Sequence, residues 1–185
     1  MKRIILAAIL GGLVVFIWGA ISHMVTPLGG MGLSTITNEG PVLDAMRANI
    51  PKSGLYFFPG MEMGKEPTPE WDAKFKRGPS GLLAIAAGPG QDKFPQQLAC
   101  ELGTNIIAAY IAAVIAAMMV GTMVRRALAI GLLAIFATVS LTFSYGIWYG
   151  FPAMYVLGEV IGETVGWLLA GFAIAKIVPP PAAAS

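Results

Sequence analysis

The chain alternates long apolar stretches with one long segment of mixed character. Four stretches are long enough to cross a hydrocarbon core of about 30 Å at about 1.5 Å of helix rise per residue. They cover residues 4–25, 98–120, 127–147 and 153–177. This pattern predicts an all-α membrane protein, built as a bundle of four transmembrane helices.

Residues 26–97 separate the first two spans and mix turn residues with short apolar runs. A proline tolerated in a first turn predicts a helix over residues 41–49. Residues 54–58 and 82–86 are bounded by glycine and proline, which predicts two strands paired as a ribbon. Residues 62–77 carry mixed charge, so we expect a solvated excursion with one helical turn. Together these features predict a small α+β cap between the first and second helices.

This pattern divides the chain into four parts. Residues 1–25 form the first transmembrane helix, and residues 26–97 form the cap. Residues 98–178 contain the second to fourth helices. Residues 179–185 begin with three prolines and are expected to form an extended, mobile tail.

Basic residues predict the orientation. Those in or next to the short connections fall on one side of the predicted bundle: Lys2, Arg3, Arg125, Arg126 and Lys176. By the positive-inside rule that side is the cytoplasm, so both termini are cytoplasmic and residues 26–97 are extracytoplasmic. The first apolar run is longer than the core of a secretory signal, which favours a retained signal anchor.

Composition supports lipid as the main surroundings. Hydrophobic residues make up 56% of the chain and charged residues only 12%, with a mean hydropathy of +0.72. No dense Lys/Arg run is present, so nucleic acid is not an expected partner. The single cysteine, Cys100, cannot form an internal disulfide and is expected to be a small apolar residue in a helix.

Two acidic residues lie inside the fourth span. Glu159 and Glu163 are one helical turn apart, roughly 10 Å and 16 Å beyond Pro152. A carboxylate at this depth costs several kcal/mol, and two such groups repel each other, so we expect at least one to hold a proton. One interpretation is a proton relay or cation site. The other is a structural pair that forms hydrogen bonds to neighbouring helices.

Other polar side chains fall in the same half of the spans, which predicts a pocket open to the outside. They are Ser22, His23, Glu101, Thr104, Asn105, Thr142, Ser144 and Tyr145. With the two acids, we take His23, Glu101, Asn105 and Tyr145 as candidates to bind a proton, a cation or another ligand. For His23, the alternative is an interfacial histidine bonded to a neighbour. No spacing comparable to H-E-x-x-H is present, so no metal site and no cofactor is assigned.

Small residues repeat along the fourth span at Gly158, Gly162, Gly166 and Ala170. Such a small-x-x-x-small ridge lets two helix backbones approach closely. The fourth helix is therefore expected to pack tightly against another helix, of this chain or of a second one.

Three segments carry a resemblance to a known family. Residues 18–27, the Gly-Leu-Tyr-Phe-Phe-Pro run at 54–59 and the Trp-Tyr-Gly-Phe-Pro turn at 148–152 resemble a family of small, uncharacterised four-helix bacterial inner-membrane proteins. The resemblance covers most of the chain and implies the same topology, with no activity attached. The family has a tryptophan and an asparagine before the turn, where this chain has Gly146 and Ile147.

Three functions are compatible with these patterns. The first is a non-catalytic accessory or assembly subunit of a larger membrane complex of respiratory or photosynthetic type, with other membrane subunits or a second copy as partners. The second is a small carrier or relay of protons or cations built on Glu159 and Glu163. The third, with least support, is a membrane enzyme that acts on a lipid or quinone, with His23 and Glu101 as acid and base.

Overall fold

The structure, a computed structural model, describes residues 1–62, 64–88 and 93–181. Over these residues the chain forms six α-helices and two β-strands, with a short 3₁₀ helix, Pro27–Gly30, after the first helix. In chain order they are α1 (Lys2–Met24), α2 (Glu39–Asn49), β1 (Gly54–Phe58), α3 (Pro69–Arg77), β2 (Gly81–Ile85), α4 (Phe94–Met118), α5 (Met123–Tyr149) and α6 (Ala153–Ile177).

Four of the helices, α1, α4, α5 and α6, are long and apolar enough to cross a membrane. This confirms the predicted four spans and supports a multi-pass membrane protein. Helix α5 begins four residues earlier than the third predicted span. Thr122 caps it, because its hydroxyl accepts a hydrogen bond from the Arg125 amide at 3.2 Å.

The chain folds into two compact units. One comprises Met1–Leu33 together with the chain from α4 onward, and the other begins at Ser34 and contains α2, β1, α3 and β2. We call them the helical unit and the ribbon unit. Residues 26–33, assigned to the cap from the sequence, belong to the helical unit.

In the helical unit, α1 packs against both α4 and α6, and α6 also packs against α5. Small residues make these contacts close. A Cβ atom on Gly12 would lie 2.7 Å from the Cα atom of Ile106, and one on Gly171 would lie 2.8 Å from the carbonyl oxygen of Ala127. Van der Waals contact between backbones is what holds membrane helices together, so these glycines have packing roles.

Arg126 departs from the expectation that it lies in a connection between two spans. It is part of α5 and only 1% exposed. Its Nε and Nη2 atoms donate to the carbonyl oxygen of Ala116 at 3.1 Å and 2.8 Å, and Nη1 donates to that of Ala175 at 3.4 Å. Both carbonyls belong to last helical turns, where a positive charge is favoured. Arg126 therefore links the ends of α4 and α6.

The ribbon unit contains the predicted pair of strands. Strands β1 and β2 are antiparallel, with Gly54 opposite Ile85 and Phe58 opposite Gly81. The two-stranded ribbon is confirmed, with its second strand one residue earlier than predicted. Helix α2 likewise begins earlier, at Glu39.

The prediction of a single helical turn between the strands is wrong, because α3 has nine residues. Thr68 caps it by accepting a hydrogen bond from the Trp71 amide, and Pro69 occupies its first turn. The Trp71 ring stacks on Phe75 with 5.1 Å between ring centroids, and its Nε1 atom donates to the carbonyl oxygen of Pro59 at 3.1 Å. The stacked rings lie within α3, and the hydrogen bond ties α3 to the residue that follows β1.

Candidate ligand site between three helices

A cavity of about 640 Å³ lies in the helical unit between α1, α4 and α6. Its lining comes from the second half of α1, the 3₁₀ helix, the first turns of α4 and the first half of α6. It brings together five of the six predicted ligand candidates and three of the four ridge residues, namely His23, Glu101, Asn105, Glu159, Glu163, Gly158, Gly162 and Gly166. Chain positions more than a hundred residues apart thus meet in one site.

Tyr145 is the predicted candidate that does not join them. It lies near the end of α5, with its ring centroid 6.0 Å from that of Tyr149 and 5.4 Å from that of Phe151. Among the described residues that line the cavity, none comes from α5. The reason is that α5 packs mainly on α6, so its polar side chains, including Thr142 and Ser144, do not reach the space between α1 and α4.

The two acids of α6 face this cavity. Glu159 is half-buried and Glu163 is exposed to the open space. The carboxylate of Glu163 accepts a hydrogen bond from Nε1 of Trp167, one turn further along the same helix, at 3.0 Å. It also lies within electrostatic reach of Glu159, Glu101 and His23. Glu163 therefore lies within electrostatic reach of groups from three helices.

Several polar groups in the lining have no hydrogen bond to the protein. Within the described part of the chain, this holds for the side chains of His23, Glu101, Asn105 and Glu159. His23 and Glu101 are exposed, and Asn105 and Glu159 are half-buried, so their polar atoms are accessible from the cavity. Water or a ligand inside the cavity can therefore form hydrogen bonds with these side chains.

Trp18 forms one wall of the cavity and was not singled out from the sequence as a site residue. Its Nε1 atom donates to the carbonyl oxygen of Gly162 at 2.8 Å. A Cβ atom on Gly166 would lie 2.7 Å from Cδ1 of the same ring, whereas one on Gly162 would meet nothing within 4 Å. The available signal was the ridge itself, since small residues leave room for a large ring on a facing helix.

The remaining ridge residues are Gly158 and Ala170, and both lie in closely packed surroundings. A Cβ atom on Gly158 would lie 3.2 Å from both the carbonyl oxygen of Leu28 and Cβ of Met31, and Ala170 is fully buried. The ridge thus contacts α1 and the segment that follows it, and Gly162 is the open position that faces the cavity.

Residues 26–33 cover one end of the cavity, and we call them the strap. Leu28 and Gly29 belong to the lining. A Cβ atom on Gly29 would lie 2.5 Å from Nδ1 of His23, and one on Gly32, whose φ is +73°, would lie 2.5 Å from the Tyr155 amide nitrogen. Glycine is therefore required at both positions, and the strap sits directly on the end of α1 and the first turn of α6.

Within the described residues, no group of three His, Cys, Asp or Glu side chains is arranged to hold a metal ion. Cys100 is exposed on α4 and is not part of the cavity lining.

The chain matches no family model, and comparisons with curated proteins and with solved structures give no match either.

Proposed function

We propose that this protein binds a small cation inside the membrane, as a carrier or relay, and that Glu159 and Glu163 hold the charge of that cation. The observation that supports the proposal is the composition of the cavity. Its lining contains three carboxyl groups and one histidine and, among the described residues, no lysine or arginine. Such a lining favours a positively charged occupant over a negatively charged one.

The energetics of burial support the same choice. Glu101 comes from α4 and the other two acids from α6, and together they concentrate negative charge in an apolar surrounding. Carboxylates at this depth are costly unless they are protonated or paired with a cation. Protons and a bound cation therefore compete for the same groups, which is the property that a coupled carrier or relay requires.

The orientation is part of the proposal. The N-terminal end of α1 lies beside the C-terminal ends of α4 and α6, and Lys2, Arg3, Arg125 and Lys176 belong to this end. By the positive-inside rule it faces the cytoplasm of a bacterial inner membrane. The strap and the acidic half of the cavity then face the outside, and the ribbon unit is extracytoplasmic.

Dicyclohexylcarbodiimide tests the site, because it reacts with protonated carboxyl groups in apolar surroundings. We expect it to modify Glu159 or Glu163 in the purified full-length chain, as measured by intact and peptide mass spectrometry. Modification should disappear in the double variant Glu159→Gln, Glu163→Gln, and a cation that occupies the cavity should slow it. Suitable cations are sodium, potassium, tetramethylammonium and benzyltrimethylammonium.

The matched control is Glu66→Gln, which removes an exposed carboxyl group in the ribbon unit. This variant should be modified at the wild-type rate. If no cation in the series changes the rate at any pH, the acids do not bind cations and the proposal is wrong.

A second function, an accessory subunit of a larger membrane complex, is favoured by a different observation. One face of the ribbon presents Leu55, Phe57, Leu82 and Ala84, and Leu55 is 66% and Phe57 41% exposed. No residue of α2 or α3 is buried. This apolar ribbon face is a surface that a partner subunit would cover.

Extraction in a mild detergent, followed by affinity purification and mass spectrometry, tests the second function. We expect one complex of defined stoichiometry that dissociates when Leu55→Ser removes part of the apolar ribbon face. Leu33→Ser is the control, because Leu33 lies in the helical unit and is also 66% exposed. Recovery of the chain alone, or loss of the complex in both variants, argues against this function.

A further inference from the structure

Resting on the proposed function, we infer that the ligand of this cavity is an organic ammonium ion with an apolar body, and that the acids bind its head while the aromatic wall binds its body. The lining of the cavity has an apolar part and a charged part, which follow one another along the helices. Each part of the lining recognises one part of such a ligand.

Volume is the first argument. The cavity measures about 640 Å³, within the range of roughly 300–1,000 Å³ that is typical of small-molecule sites. A dehydrated inorganic ion fills only a small fraction of this space. An organic cation with a ring or a short chain fills it.

The apolar part of the lining is the second argument. Phe16 lies about two turns before His23 on α1, and α6 contributes Gly166 at this end. Trp18 lies between this end and the acids, because its ring contacts both Gly162 and Gly166. Ionisable side chains are missing from this end among the described lining residues, and its polar side chain there is the neutral amide of Asn105. An apolar body is stabilised here by contact with aromatic and aliphatic surface.

The charged part of the lining is the third argument. Glu163 interacts with Glu159, Glu101 and His23, and these groups lie on the strap side of Gly166 and Phe16 along α6 and α1. An ammonium head at this position is attracted by the negative charge of the three acids. The Trp18 ring, which is hydrogen-bonded to Gly162 between the two acids of α6, adds a further attraction for a cation. The two ends of the cavity thus match the two ends of an amphiphilic cation.

Benzyltrimethylammonium is a suitable probe, and neopentylbenzene is its neutral isostere with carbon in place of nitrogen. The readout is protection of Glu159 and Glu163 of the full-length chain from dicyclohexylcarbodiimide. We expect the half-protecting concentration of benzyltrimethylammonium to be about tenfold or more below those of tetramethylammonium and sodium. At matched free concentration, neopentylbenzene should give no protection.

A variant of the apolar wall separates the two parts of the ligand. Phe16→Ser should raise the half-protecting concentration of benzyltrimethylammonium and leave that of tetramethylammonium unchanged. Phe136→Ser is the control, because Phe136 is 71% exposed on α5 and does not belong to the lining. Equal effects on both probes would contradict a role of Phe16 in binding the apolar body.

The outcomes distinguish this inference from the proposed function. Equal protection by sodium and benzyltrimethylammonium overturns the ligand class and keeps a cation site. If neopentylbenzene protects as well as benzyltrimethylammonium does, the positive charge does not contribute to binding in the cavity, and the inference is overturned. Absence of protection by every cation overturns the proposed function and the inference together.

Discussion

At the scale of single residues, neighbouring glycines of one ridge have different tasks. The Trp18 ring occupies the space where a side chain at position 166 would lie. The carbonyl oxygen of Gly162 accepts a hydrogen bond from the same ring, and the space where a side chain at position 162 would lie is open to the cavity. The ridge pattern predicts close packing for both positions equally. Only the placement of a side chain from a helix more than a hundred residues away separates them.

Gly166→Leu should therefore destabilise the protein while Gly162→Ala should not. A larger side chain at position 166 displaces the Trp18 ring and breaks its hydrogen bond to Gly162, at a cost of about 1–3 kcal/mol for overpacking. Gly162→Ala should stay within about 0.5 kcal/mol of wild type. Reversible unfolding in mixed detergent micelles measures both. Equal stability of the two variants would contradict the assigned role of the Trp18 ring.

At the scale of elements, local sequence signals predict well where the helices lie along the chain. They predict poorly which elements pack against each other. The lengths of apolar runs place α1, α4, α5 and α6 to within a few residues, because a membrane helix satisfies its own backbone. The full length of α3 depends on a threonine cap and on a tryptophan that reaches Pro59. The position of Tyr145 outside the cavity depends on α5 packing on α6, which no local pattern encodes.

The strap is the element that closes the cavity, and its glycines allow a direct test. Gly29→Ala places a methyl group against His23 and should lift the strap, whereas Gly30→Ala meets nothing within 4 Å. We expect dicyclohexylcarbodiimide to modify Glu159 and Glu163 faster in the first variant and at the wild-type rate in the second. A wild-type rate in Gly29→Ala would show that the strap does not limit access.

Helix α3 carries a pH-dependent cap. The pKa of Glu70 lies below the ordinary value of glutamate, first because its carboxylate accepts a hydrogen bond from its own backbone amide and then because it accepts one from the Thr68 hydroxyl. A pKa lowered in the folded state means that the ionised group stabilises α3 above the unfolded pKa. This stabilisation is lost as the pH falls through the folded pKa.

Thr68→Ala should raise the pKa of Glu70 toward its ordinary value and shorten α3, because it removes both the cap and one hydrogen bond. An NMR titration of the Glu70 carboxyl carbon measures the pKa. Thr37→Ala changes an exposed threonine of the same unit and should leave the titration midpoint unchanged. An identical midpoint in both variants would rule out the Thr68 contribution.

At the scale of the whole molecule, the proposed orientation predicts which surfaces reach the outside of the cell. In a Cys100→Ala background, Glu66→Cys should react with a membrane-impermeant maleimide in intact cells. Arg125→Cys should react only after lysis. Both positions are exposed, so accessibility of the side chain is not limiting. The reverse pattern of labelling would invert the topology.

The link made by Arg126 has a consequence for biogenesis. The guanidinium of Arg126 makes its full set of hydrogen bonds only when Ala175, in the last turn of α6, supplies its carbonyl oxygen. While the chain is being synthesised, α4 and α5 enter the membrane with a positive charge that still lacks one of its acceptors. A chain cut before this turn keeps that defect permanently. The same bond that joins two helix ends therefore distinguishes finished chains from truncated ones.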